Sequence, residues 1–444
     1  MNKNSKIIIC GGGLVGSLQA LLLGQRGYQV TVIEKRPDSR KTNLYDGRSI
    51  NLALAVRGSR PLELAGVMEK VDKILIPMKG RMIHELEKEP FFSPYSQNPE
   101  DIVFSVSRAD LNEILLTEGE NTGNVHYLFE CEPKHIDLVK KEINLAHGDP
   151  LTYDVLIGAD GGGSIVRRTI LEAHNEENET SFLEHQYKEL TIPALNDEFA
   201  LDPNSLHIWP REEFMVIALP NPDKTFTVTL FMKAKGQPSF ESIDSPKKLL
   251  SFFMSEFPDL VKLIPDLTQS FFKNPTGNLG TVKCLPWIYE DSAFLIGDAA
   301  HAIVPFHGQG MNCGFEDCEQ FISLLDSGNY PNFSDLLTEY QTLRKPNGDA
   351  IADLAIDNYK VMRSSVVDPK FQAKKEIGFI LEREFSGKFV PRYSRVMFTH
   401  IPYAEAMRLG ELQEKILDEL VEGFTRTKQV DMEKARSLIE KHLR

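Results

Sequence analysis

Three glycine-rich stretches, far apart in a chain of 444 residues, have the residue types to bring bare backbone against a phosphate or a sugar alcohol. The first is Gly11-Gly12-Gly13-Leu14-Val15-Gly16. It follows an apolar run, Ile7 to Cys10, and precedes a stretch with apolar residues at Leu14, Leu18, Leu21 and Leu22. Helical spacing after the glycines, then a second apolar strand ending on Glu34, sets this G-x-G-x-x-G in the context that binds a dinucleotide. Gly11 permits a tight turn, Gly13 lets backbone approach a pyrophosphate, and Gly16 lets helix and strand pack closely. A helix N-terminus at this point offers free N–H groups to phosphate. The Glu34 carboxylate can accept from a ribose hydroxyl.

The second stretch is a buried strand, Val155 to Ile157, ending in Gly158-Ala159-Asp160-Gly161, with Ser164 and Arg167-Arg168 on the helix expected after it. Asp160 reads either as a carboxylate beside a ligand or as part of an ordinary Asp-Gly turn. The third, Phe294 to Asn312, is a strand that stops on Gly297-Asp298 and is followed by proline and two more glycines, Gly308 and Gly310. Asp298 falls at the carboxyl end of its strand, where open parallel sheets hold ligands, and can accept from sugar-alcohol hydroxyls. Met311 and Asn312 open the next helix, whose N-terminus would stabilise negative charge on a heterocycle. One mononucleotide does not need three such strand ends, whereas FAD is long enough to reach them all. FAD is therefore the cofactor expected.

The elements that must position these residues are those of an α/β chain with 41% hydrophobic residues, enough for two cores. A formal charge of −14 argues against a nucleic-acid surface or an anionic membrane as main partner. The five cysteines, Cys10, Cys131, Cys284, Cys313 and Cys318, form no C-x-x-C pair, which suits a reducing compartment and neither a disulfide framework nor a zinc site. No leader pattern and no long apolar run are read, so a cytoplasmic protein is expected. Residues 206–232 alternate in strand fashion. Met215, Ile217 and Leu219 share one face, with Leu206 and Phe231 as neighbours. That face suits an aromatic substrate, or it packs on its own core; both readings stand. His301 and His307 flank the third stretch with no carboxylate at metal spacing and read as structural, so no metal is expected. Ser164 lacks the G-x-S-x-G setting of a hydrolase nucleophile.

The three motifs in this order resemble those of the single-component FAD-dependent aromatic hydroxylases. Longer stretches resemble the branch of that family that hydroxylates L-kynurenine. They include GRSINLAL (47–54), GRMIH (80–84), SVSRADLN (105–112), LHIWPREEFMVIALPN (206–221), DNYKVM (357–362) and FVPRYSRVMF (389–398), and the likeness runs to about residue 410. By that resemblance, Arg81 and Tyr95 would grip the substrate carboxylate, although alone they read as surface residues of a hairpin. Asn358 and Tyr393 would add polar substrate contacts, and Pro305, Phe306 and His307 would line the pocket. The family's FAD contacts would fall on Val15, Glu34, Lys35, Arg36, Ala53, Arg108, Asp298, Met311 and Asn312, beside Gly11, Gly13, Gly16 and Asp160 of the glycine motifs. Arg108 follows Ser107, which with Asp110 makes a capping box.

The resemblance also implies a FAD domain from 1–75, 100–178 and 276–330, and a mostly antiparallel substrate sheet from 76–99 and 179–275 covering the flavin. A helical region from 331 to 444 completes it. NADPH would reduce the flavin without a nicotinamide domain of its own, O₂ would add at C4a, and the hydroperoxide would hydroxylate the ring beside its amine to give 3-hydroxykynurenine, a step of tryptophan degradation toward NAD precursors. No side chain need act as formal acid or base. One departure stands out: mitochondrial relatives carry a hydrophobic C-terminal membrane tail, and residues 410–444 are charged and amphipathic, as in a bundle or partner-contacting helix. Homodimerisation is left open. Two rivals remain, another flavin oxidoreductase with a different small aromatic substrate, and a non-catalytic nucleotide-fold protein of the Rab-escort type. The latter would purify colourless.

Overall fold

The computed structural model describes residues 2–41, 51–177, 180–422 and 430–443. The first four residues of the GRSINLAL stretch fall outside them. The chain divides into two compact units, one from 1–75, 106–182 and 280–352, the other from 76–105, 183–279 and 353–444.

The first unit is built on a six-stranded sheet. Its order is Ile288–Tyr289, Ala293–Leu295, Val155–Gly158, Ile7–Cys10, Val30–Glu34 and Val125–Phe129. All neighbours are parallel except the two-residue edge strand Ile288–Tyr289. The two glycine motifs at Gly11 and Gly158 and the Gly297-Asp298 turn end three adjacent strands of this sheet. Such strands read as continuous apolar runs because both faces are covered. Ile7, Ile8, Ile9, Leu156, Ile157, Phe294 and Leu295 are accordingly buried. Helix Leu14–Gln25 packs against both Arg108–Asn121 and Gly310–Ser327.

The second unit carries a seven-stranded sheet in the order Thr276–Val282, Thr180–Ile192, Phe226–Lys233, Phe214–Pro220, Ser205–Arg211, Gly80–Ile83 and Phe91–Pro94. From Thr180–Ile192 to Phe91–Pro94 it is antiparallel apart from the parallel pairing of Ser205–Arg211 with Gly80–Ile83. The period-2 pattern sorts its faces. Trp209, Phe214, Val216, Ala218, Phe226, Val228 and Leu230 point one way, onto Leu249, Phe253, Phe257, Leu260 and Phe271 of three short helices. The α/β class, the dinucleotide-binding unit, the antiparallel sheet and the C-terminal helices are all as expected. The charged tail lies on two bundle helices, Tyr403–Val421 and Met432–His442: Ile416, Leu420, Ala435, Leu438 and Ile439 bury their apolar stripes with Ile377, Leu381 and Phe385. Among the described residues no helix is long and apolar enough to cross a membrane.

Candidate active site

The glycine loop after Cys10 has the shape its sequence implies. Gly11 has φ +105°, and a Cβ there would lie 2.4 Å from the Ala159 carbonyl oxygen. A Cβ on Gly16 would lie 2.0 Å from the Gly11 carbonyl oxygen, so helix and strand touch through bare backbone. Gly13 differs, because a Cβ there meets nothing within 4 Å. The chain leaves open space beside Gly13 and at the start of helix Leu14–Gln25, where N–H groups are free to take a phosphate.

Glu34 lies behind this loop. Its carboxylate accepts from the Gly12 N–H at 2.9 Å and from the Arg36 N–H and Nε, each at 2.9 Å. Burial pushes its pKa up, but the Arg36 and Gly12 hydrogen bonds outweigh that and hold it below the ordinary value. Glu34 thus stays ionised while bracing the loop. Lys35 and Arg36 are exposed just beyond it. Ser107 caps helix Arg108–Asn121 by accepting from the Asp110 N–H, leaving Arg108 exposed at its first position. Asp160 is turned inward: it accepts from Ser164 Oγ at 2.5 Å and from the Ile165 N–H at 2.7 Å, so its carboxylate starts helix Ile165–Ala173. These are the bonds of a turn and a helix cap.

At the third strand end, Asp298 is exposed between buried neighbours, and its carboxylate accepts no hydrogen bond within the described residues. Asn312 is the reverse, fully occupied. Its Oδ1 accepts from the Ala55 N–H at 2.9 Å, and its Nδ2 donates to Ala53 O and Gly308 O, both at 2.8 Å. Val15 packs where Gly297 and Gly314 lack side chains. Pro305, Phe306 and His307 form a short 3-10 turn ahead of helix Gly310–Ser327, with Phe306, His307 and Met311 buried. An open cradle at Gly13, helix N-termini and an unbonded Asp298 at adjacent strand ends fit the pyrophosphate and polyhydroxyl chain of FAD.

Beneath this strand end lies a charge network that sequence reading missed. Asp317 Oδ2 accepts from the Gly297 N–H at 2.8 Å and from His301 Nε2 at 2.6 Å, and Oδ1 accepts from Arg344 Nε at 2.6 Å. Arg344 and Arg57 both reach Glu316, at 2.7 and 2.9 Å. Burial opposes charge on His301, but Asp317 outweighs it and raises the imidazole's pKa. Burial likewise opposes ionisation of Asp317, yet His301 and Arg344 hold its pKa down. The expectation that His301 has no carboxylate at metal spacing needs correcting, since Asp317 lies one hydrogen bond away. His301, Cys313 and Asp317 offer ligand atoms within 4.8 Å of one another. Both Asp317 oxygens are engaged by cations and an N–H, so the cluster works as an ion-pair network tying down the turn before Asp298.

The second unit assembles the other candidates. Register places Arg81 beside Leu206, Ile208 beside Ile217, and Met215 beside Phe231. Arg81 therefore shares its sheet face with Leu206, Leu219, Ile217, Met215 and Phe231, opposite the face that covers the helices. Arg81 is 9% exposed, and its Nε is buried with no partner. Its guanidinium lies 4.8 Å from the Tyr393 ring centroid and 5.7 Å from that of Tyr95. The two phenol rings stack at 5.5 Å. Burial raises both phenols' pKa, so both keep their protons. Among the described residues no carboxylate pairs with Arg81. Asn358 is buried on helix Phe333–Arg363, where its amide donates to Met362 Sδ at 3.4 Å. A planar fork with a spare donor, flanked by two neutral phenols, can take a carboxylate bidentately.

A family model described as FAD binding domain matches residues 4–248 and 278–355. Among solved structures, the tetrameric form of 2-methyl-3-hydroxypyridine-5-carboxylic acid oxygenase is 20% identical, with TM-score 0.68 over 83% of this chain and 95% of that one. P. aeruginosa PqsL in complex with 2-aminobenzoylacetate is 21% identical, with TM-score 0.66 over 81% and 97%. These likenesses concern the fold, and the family model makes the chain an FAD-binding protein. Relatives named kynurenine 3-monooxygenase match nearly end to end. That of Myxococcus xanthus is 42% identical over 99% of this chain and 96% of its own length. That of Dictyostelium discoideum is 43% identical over 99% and 98%. The chain belongs to the kynurenine 3-monooxygenase family.

Proposed function

We propose that this enzyme hydroxylates L-kynurenine to 3-hydroxykynurenine with NADPH and O₂, and that Arg81, Tyr95 and Tyr393 receive the substrate's carboxylate. The observation carrying the residue assignment is the buried, unpartnered Arg81 Nε beside two neutral phenols, on a sheet face shared with Leu206, Ile217, Leu219, Met215 and Phe231. Burial of an unsatisfied donor is unfavourable, and a bound carboxylate relieves it. The apolar rows of Leu206, Leu219, Ile217, Met215 and Phe231 suit the aromatic ring, and Asn358 offers an amide to its polar end. Around the cofactor, the Gly11–Gly16 loop would hold the pyrophosphate, Glu34 would brace that loop, and Asp298 would accept from the ribityl hydroxyls. Bound FAD supplies the oxygen-transfer chemistry. The side chains bind, orient and exclude water. Five free cysteines fit work in the reducing cytoplasm; sedimentation distinguishes monomer from homodimer.

The test is NADPH-dependent oxygen uptake by the purified yellow protein, with and without L-kynurenine. Kynurenine should stimulate uptake and yield 3-hydroxykynurenine. Uptake that ignores kynurenine and responds to another small aromatic would move the assignment to that substrate.

A further inference from the structure

A second cation stands at the Arg81 corner, contributed by helix Pro369–Glu384. Lys375 Nζ donates to Ser93 Oγ at 2.6 Å and to Pro94 O at 2.8 Å. Ser93 is directly opposite Arg81 in the antiparallel pair, and Pro94 precedes Tyr95. One amine thus holds the strand that faces Arg81 and carries Tyr95. Phe379, one turn along the same helix, places its ring centroid 5.4 Å from Nζ. Lys375 forms no ion pair among the described residues. Its helix neighbour Lys374 differs, reaching Glu414 and Asp418. A half-buried amine beside a buried guanidinium, with no anion to share, marks a place that an anion completes.

We propose that Lys375 is a positioning residue of the carboxylate site: it fixes Ser93 and Pro94 so that Arg81 and Tyr95 face one another, and it binds a proton when a carboxylate occupies Arg81. The proposal rests on the reading of Arg81 as the carboxylate receiver. Two N–H bonds are enough to satisfy Ser93 and Pro94, so the amine stays anchored whether or not it carries its third proton. Burial first, and Arg81 second, lower its pKa to about 7. Facing it are Arg81 from the Gly80–Ile83 strand and the unionised Ser93 and Pro94. The phenols of Tyr95 and Tyr393 stay neutral in this range. On its own helix, burial and Asp101 raise the pKa of Glu382. An incoming carboxylate supplies the missing anion and raises the Lys375 pKa, so binding takes up a proton.

The experiment measures the dissociation constant of L-kynurenine for the FAD-loaded enzyme from pH 6 to 8.5, together with proton uptake in weak buffer. In the wild type, affinity should be flat below about pH 7 and fall above it, with proton uptake on binding. Lys375→Met should bind about 5- to 150-fold more weakly at pH 6.5, the range for an energetic coupling between two separate groups. It should show no pH dependence, keep its flavin, and bind decarboxylated kynurenine as the wild type does. Lys375→Arg, whose charge does not titrate, should restore affinity and also remove the pH dependence. If either variant keeps the wild-type pH profile and proton uptake, the proposal is overturned. Arg81→Ala separates the two readings. Near-normal kynurenine affinity in that variant removes the carboxylate site itself, whereas lost affinity with an unchanged profile in both Lys375 variants removes only the role of Lys375.

Discussion

Two buried sets of charges, one in each unit, are built on opposite principles. Around Asp317 every charge has its counter-charge: His301, Arg344 and the Gly297 N–H on Asp317, and Arg344 and Arg57 on Glu316. Around Arg81 the cations have phenols, a serine hydroxyl and a carbonyl, and no carboxylate among the described residues. A closed network holds a backbone in place, here the turn that presents Asp298. The open one leaves a buried donor, Arg81 Nε, without a partner.

Breaking the closed network should have the largest effect. Removing one partner from a buried ion pair costs about 3–5 kcal/mol. Asp317→Asn should therefore lower unfolding free energy by that order in urea titrations, and FAD content should fall with it. Wild-type stability in the variant would mean that the network is not what holds the turn.

A smaller effect is expected from a third buried set, which is neutral. His84 Nε2 lies 2.9 Å from His207 Nδ1, and the His84 ring stacks on Trp209 at 4.1 Å. Burial first, then His207, lowers the His84 pKa to about 4. Its folded value lies below its unfolded one of about 6.5. The contribution is therefore complete above pH 6.5 and lost as pH falls from 6.5 through 4, by up to about 3 kcal/mol. Urea unfolding at pH 7 and 4.5 should show this loss in the wild type and a shallower one in His84→Gln. An equal pH slope in both would exclude His84 as the source.

Smaller still is the effect of Asp298. If it accepts from the ribityl chain, Asp298→Ala should weaken FAD by about 1–3 kcal/mol with no change in the melting of the apoprotein. Unchanged affinity on FAD titration would leave it a turn residue.

Legibility in the sequence depends on how local each signal is. The Gly11–Gly16 loop, the alternation of Met215, Ile217 and Leu219, and the Ser107 cap are written in neighbouring residues, and the structure has each. Asp160 was ambiguous for the same reason, since its capping bonds to Ser164 and Ile165 look in sequence like any Asp-Gly turn. The Asp317 network was invisible because Arg57 and Glu316 are 259 positions apart. Lys375 was missed likewise, 282 positions from Ser93. Buried charge has no periodicity of its own. Arg81 and Tyr95 by themselves resemble hairpin surface residues, and only the longer stretches around them, which match a family, distinguish them.

The open charge set is the substrate site only if Arg81 reads the carboxylate. The most direct measurement is the affinity of wild type and Arg81→Ala for L-kynurenine and for decarboxylated kynurenine, tracked through flavin fluorescence and the stimulation of NADPH oxidation. A charge-assisted bidentate contact in a desolvated setting is worth roughly 2–4 kcal/mol, or about 30- to 1,000-fold in affinity. The variant should lose that much toward kynurenine, keep its flavin and its basal NADPH oxidation, and treat the decarboxylated analogue as the wild type does. Near-normal kynurenine affinity in Arg81→Ala, or equal turnover of the analogue by the wild type, would show that the carboxylate is read elsewhere.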